Sequence, residues 1–89
     1  MLKQEVVVTN KMGLHARPAG ELVKLVSGYD STVTIIKDGN SIDAASIMNI
    51  LILCAEKGAK LTLQVEGDDE QEAIDELVEN FEYGFGGLD

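Results

Sequence analysis

The sequence predicts an α+β fold in which helices cover one face of a sheet. Three observations carry that expectation. The 89 residues suffice for one small domain, residues 1–89, with a modest core. Segments of β-branched or alternating apolar residues are interleaved with segments whose apolar residues recur every three or four positions. Glycine-containing breaks separate most of them, and the order reads β-α-β-β-α-β-α.

The first segment, "LKQEVVV" (2–8), ends in a β-branched run that places Val6 and Val8 on one face of a strand. "KMG" breaks it. From Ala16 to Ser27, Ala19, Leu22, Val23 and Val26 recur at helical spacing. Pro18 falls in the first turn, where a missing N–H costs nothing, and Gly28 is the stop. "STVTIIK" (31–37) is a second strand, and "DG" at 38–39 turns it into a short third strand, 40–43. Ser46 is an N-cap for a helix over 47–54. "AKLTLQVE" (59–66) alternates, with Leu61, Leu63 and Val65 facing one way. "DDEQEAIDELVENFEYG" is a helix with a capping-box start at Asp69 and Glu72 and a stripe of Ile74, Leu77, Val78 and Phe81. The tail "GFGGLD" reads as frayed, with Phe85 its one residue able to pack. With only two Tyr and two Phe, the core must come from Val, Ile, Leu and Ala.

Charge narrows the function classes. Residues 1–65 hold seven basic and six acidic residues, a balance of +1, whereas residues 66–89 hold ten acidic and no basic ones, a balance of −10. Such a tail repels nucleic acid, and no basic stripe with aromatics offsets it. Small metabolites and proteins remain as partners. No run is long and apolar enough for a membrane span, and the start lacks a signal-peptide pattern, so a cytoplasmic protein without membrane insertion is expected. Cys54 is the only cysteine, so it forms no internal disulfide, and its setting "ILILCA" predicts a buried, inert thiol.

The chemistry concentrates in "GLHARPAG" (13–20), which holds the only histidine, His15, the only arginine, Arg17, and the only proline, Pro18. A lone histidine is ordinarily a solvated or structural residue. A metal site is disfavoured, because His15 has no Cys or His companion in sequence. No nucleophile motif supports a serine triad, and no cofactor motif is present. The neighbours favour another chemistry. His15 follows the loop glycine Gly13 at a helix start, where unpaired N–H groups and the helix dipole attract an anion. Arg17 adds a planar charged fork suited to phosphate oxygens, and Pro18 stiffens the turn. These parts favour transient phosphorylation of His15, an imidazole nucleophile, with protein donors and acceptors.

"GLHARPA" resembles the active-site sequence of HPr, the histidine-containing phosphocarrier family of the bacterial phosphoenolpyruvate:sugar phosphotransferase system. "SIM" at 46–48 and "KGA" at 57–59 fall where that family has them. The resemblance implies an open-faced β-sandwich: a four-stranded antiparallel sheet with three helices on one face. It implies a carrier rather than an enzyme, without cofactor or metal. His15 would accept a phosphoryl group on Nδ1 from phospho-enzyme I and pass it to IIA domains of sugar permeases, with Arg17 stabilising the phosphate. Ser46 would be a regulatory phosphorylation site for an HPr kinase/phosphorylase, with a catabolite-control repressor as a further partner. Ile47 and Met48 would form an exposed docking patch. The family commonly has lysine where this chain has Ala45, and glycine where it has Asn49. Two alternatives stand beside the carrier: a regulatory paralogue working mainly through Ser46, and a carrier for a non-sugar phosphotransfer system.

Overall fold

The computed structural model describes residues 1–87. Its elements are β1 (Leu2–Val7), α1 (Ala16–Ser27), β2 (Thr32–Lys37), β3 (Asn40–Asp43), α2 (Ile47–Ile52), β4 (Lys60–Glu66), α3 (Glu70–Glu82) and a single turn of left-handed backbone, α4 (Gly84–Gly87). The four strands form one antiparallel sheet in the order β1-β4-β2-β3. The register places Val6 opposite Leu61 and sets both Leu2 and Val33 beside Val65. Because side chains alternate across a strand, one sheet face collects Val6, Val33, Ile35, Leu61, Leu63 and Val65, all buried. Ala19, Leu22 and Val26 of α1, Ile50 of α2, and Ala73, Ile74, Leu77 and Phe81 of α3 close over that face. The opposite face, with Lys3, Glu5, Thr32 and Glu66, is open to solvent. This is the open-faced α+β sandwich.

Several local expectations change. Helix α2 ends at Ile52 rather than residue 54, because Leu53 and Cys54 donate to the carbonyls of Ile50 and Leu51, tightening the last turn. Cys54 then adopts a left-handed conformation, φ 51°, and is exposed rather than buried. Its neighbours Leu53 and Ala55 take the interior positions. The capping box of α3 does not form. The Asp69 side chain makes no bond to its own helix; its carboxylate accepts from the N–H groups of Asp30 and Ser31 and from the Ser31 hydroxyl. Glu70 instead reaches back to accept from the Gly67 N–H at 3.3 Å. Gly28 ends α1 as expected but with φ −81°, so the stop does not use glycine's left-handed freedom.

The tail is not frayed over its described part. Phe85 is buried and meets the Phe81 ring edge-on, with centroids 4.9 Å apart. The rest of the tail reading, Leu88 and Asp89, lies outside the described residues. The order at 84–87 matters for the site, because the loop after β1 is tied to it. Thr9 donates to the Phe81 carbonyl at 2.9 Å, and the Asn10 side chain donates to the Gly84 carbonyl at 2.8 Å.

Candidate phosphorylation site

The loop that delivers His15 is held from both sides. Upstream, Thr9 and Asn10 anchor it to the end of α3 and to α4. Downstream, the Gly13 N–H donates to Asn10 and the Leu14 N–H donates to the Ala55 carbonyl at 2.9 Å. Gly13 has φ +73°, and a Cβ there would stand 2.4 Å from the Ala55 oxygen, so the chain passes the segment after α2 at a distance only glycine permits. Leu14 is buried, and the next residue, His15, emerges at the surface.

His15 is the N-cap residue of α1, in extended conformation, and its carbonyl accepts the Ala19 N–H at 3.0 Å. Its side chain does not cap the helix. The imidazole is therefore left for other work, and its two nitrogens differ. Nε2 is sealed from solvent without a hydrogen-bond partner, while Nδ1 is not buried and makes no hydrogen bond among the described residues. The first N–H groups of α1 have no intrahelical acceptor and lie at the positive end of the helix dipole. Arg17, two residues onward, is exposed and engages no carboxylate among the described residues. Pro18 is buried within that first turn, anchoring it to the core.

Met12, Leu14, His15, Leu51, Cys54, Ala55 and Glu56 line a shallow depression of about 240 Å³. Met12, 69% exposed, and Cys54 were not among the sequence-derived site residues. Nothing in local periodicity marks Met12, and the apolar run around Cys54 pointed inward. Nearby on the chain, Ser46 caps α2 by accepting the Asn49 N–H at 3.3 Å, so the N-cap reading holds. Ile47 and Met48 are exposed, as is Ile52, so the start and end of α2 offer an apolar surface. No group of three or more His, Cys, Asp or Glu among the described residues is placed to hold a metal, and none of the described helices is long and apolar enough to cross a membrane.

This arrangement has counterparts in known proteins. Residues 2–83 match the family model described as "PTS HPr component phosphorylation site". The phosphocarrier protein HPr of Xylella fastidiosa is 40% identical over 85 residues, covering 96% of each chain. The phosphocarrier protein NPr of Escherichia coli K12 is 38% identical, covering 94% of each. The crystal structure of HPr-C-His from Thermoanaerobacter tengcongensis superposes with a TM-score of 0.94 at 41% identity, over 99% of each chain. A family match over most of the chain, a shared sheet-and-helix architecture and close relatives together place this protein in the HPr family of phosphocarrier proteins of the phosphotransferase system.

Proposed function

We propose that this chain, as one domain over residues 1–89, is a cytoplasmic, non-enzymatic phosphocarrier that accepts a phosphoryl group from phospho-enzyme I on Nδ1 of His15 and passes it to IIA domains of sugar permeases. One observation carries the reading: His15 stands at the N-cap position of α1 with Nε2 sealed inside and Nδ1 open, two residues before Arg17, which pairs with no carboxylate among the described residues. In the transfer, the Nδ1 lone pair forms a bond to phosphorus as the bond from phosphorus to the donor breaks. The ring proton stays on Nε2. Charge spreads over the phosphoryl oxygens. The N–H groups that open α1 and the Arg17 guanidinium face that charge. Transfer onward is the same displacement with the roles exchanged.

The test is incubation with phosphoenolpyruvate and enzyme I, followed by intact mass and acid lability. One acid-labile phosphoryl group is expected. His15→Ala should abolish it with an unchanged circular dichroism spectrum. Arg17→Ala should slow transfer by on the order of 10²-fold, the effect of removing one donor that acts on transition-state charge, with little change in stability. Uptake persisting in the His15 variant would move the site elsewhere.

Ser46 is the regulatory half of the proposal. A phosphate placed there by an HPr kinase/phosphorylase would stand beside Ile47 and Met48, on the surface an enzyme I partner approaches. Phosphoserine, or Ser46→Asp, should slow uptake at His15 without unfolding the chain. A kinase that ignores Ser46, together with an Asp variant transferring at the wild-type rate, would leave the serine as an N-cap only. A second reading, a carrier for a non-sugar phosphotransfer system, is favoured by the near-equal likeness to carriers of two names, HPr and NPr. Transfer from the phosphorylated chain to a panel of IIA proteins separates the two.

A further inference from the structure

Strand β1 is an edge of the sheet, with β4 on one side and, among the described residues, no strand on the other. Its backbone phase is readable. The Val8 N–H donates to Ala59 at 3.0 Å and the Val8 carbonyl accepts from Gly58 at 2.8 Å, so Val8 turns its polar groups toward the β4 side. In an antiparallel ladder this orientation alternates by residue. Leu2, Gln4 and Val6 therefore bond to β4, and Lys3, Glu5 and Val7 turn their N–H and C=O groups outward. The Gln4 side chain agrees with that phase: Nε2 donates at 3.3 Å to the Glu5 carbonyl in an exposed bond.

Two depressions of about 360 and 250 Å³ lie between this edge and α3. Both are lined by Gln4 and Val78, which makes them two ends of one groove. Ile74 and Val78 give it an apolar floor, Asp75 stands at one end and Glu82 at the other. Lys3 is the only cation among the lining residues, and α3 itself carries none.

We propose that the free edge of β1 and its groove against α3 dock an extended peptide with Lys or Arg at alternate positions, added as a fifth strand. The outward groups of Lys3, Glu5 and Val7 supply main-chain bonds, and the Glu5 carbonyl exchanges its Gln4 donor for a peptide N–H. Alternate peptide side chains then face α3. Long basic side chains suit that groove, because their aliphatic stems cover Ile74 and Val78 while their charged heads reach Asp75 and Glu82. An acidic peptide is repelled. A second copy of the chain is disfavoured by the same charge, since each copy carries −9 and its own acidic α3. No residue lining this groove lines the depression at His15, so the peptide uses a surface separate from the phosphoryl site.

The probe is a terminally blocked peptide of alternating lysine and valine, titrated into the isotope-labelled full chain and followed by amide chemical shifts. Shifts should concentrate at Lys3, Glu5 and Val7 and along 74–82, and affinity should fall with salt. Glu5→Pro removes one outward N–H without touching a β4 bond, a position edge strands tolerate, and should weaken binding by about fivefold, the worth of one net hydrogen bond. The double variant Asp75→Asn/Glu82→Gln keeps the backbone intact and should weaken binding and flatten the salt dependence whether or not the proline variant folds. Equal binding of a glutamate–valine peptide, shifts centred on His15 and α2, or full affinity in the folded double variant would overturn the proposal. Self-association of the free chain through β1 in sedimentation would overturn it in favour of a second copy.

Discussion

His15 shows how much one residue's placement depends on neighbours that do no chemistry. A histidine at an N-cap would ordinarily spend its side chain on the helix, or leave it fully solvated. Here Gly13 lets the chain pass Ala55 at a separation no other residue permits, Leu14 buries itself, and His15 is delivered with one nitrogen in and one out. Gly13→Ala should therefore be costly twice over. The left-handed φ costs about 1–2 kcal/mol for a residue with a Cβ, and forcing the loop off Ala55 costs about 1–3 kcal/mol more. At ~4–8 °C per kcal/mol for a chain of this size, the melting temperature should fall by roughly 10–40 °C. Thermal denaturation measures that, and uptake at His15 should fall with it, since the loop that aims the ring has moved. A variant that melts like the wild type would mean that the loop accommodates a methyl group without cost.

The elements are joined as much by side-chain ties between their ends as by their faces. Asp69 shows this. An aspartate before an acidic helix reads locally as a cap, yet its carboxylate serves the turn between α1 and β2, holding Asp30 and Ser31 against the start of α3. Gly67 packs on Ser31 so closely that a Cβ would stand 2.5 Å from its hydroxyl, which brings the two segments within reach. The Ser31 hydroxyl, the Asp30 N–H and the Ser31 N–H hold the Asp69 carboxyl below its ordinary 3.8. The N-terminal ammonium, 2.9 Å away, and the Gly67 N–H do the same for Glu70 below 4.5. Because both folded pKa values are depressed, these groups favour the folded state fully above their ordinary values. That contribution is lost as pH falls from there through the depressed values. Stability measured by denaturant should thus be level above about pH 5 as far as these groups are concerned and decline below it. Asp69→Asn should be less stable at neutral pH and show a shallower acid decline, because the charge-assisted bonds are already gone. An unchanged acid limb in that variant would assign the decline to other carboxylates.

Across the whole molecule, the sheet face and three helices make one apolar core, and the C-terminal turn closes its edge beside the site loop. Phe85 is the test of that closure. It adopts φ 54°, unusual for a bulky residue, and the conformation is held because its ring is buried against Phe81. Phe85→Ala should cost about 3 kcal/mol, the low end for a buried phenylalanine. It should also raise amide exchange at Thr9 and Asn10, whose anchors, the carbonyls of Phe81 and Gly84, lie just before Phe85. A loss of only a few tenths would mean that the turn packs no more tightly than a frayed end.

The sequence by itself determined the order of elements, most of their boundaries and the composition of the buried faces. It also concentrated His15, Arg17 and Pro18 at one helix start. These are legible because period-two and period-3.6 apolar patterns, caps and turn glycines act over a few residues, where local physics is sufficient. Only the tertiary structure decided what Asp69 bonds, that Cys54 faces outward, that Phe85 packs, and that Met12 and Leu51 join His15 in one depression. It alone separated Nε2 from Nδ1 by burial. Cys54 turns outward through the tightened last turn of α2, and the others share one physical reason. Each depends on a partner brought close by folding, from another element or a distant segment, and a competing long-range bond or burial outweighs the local preference that sequence neighbours express.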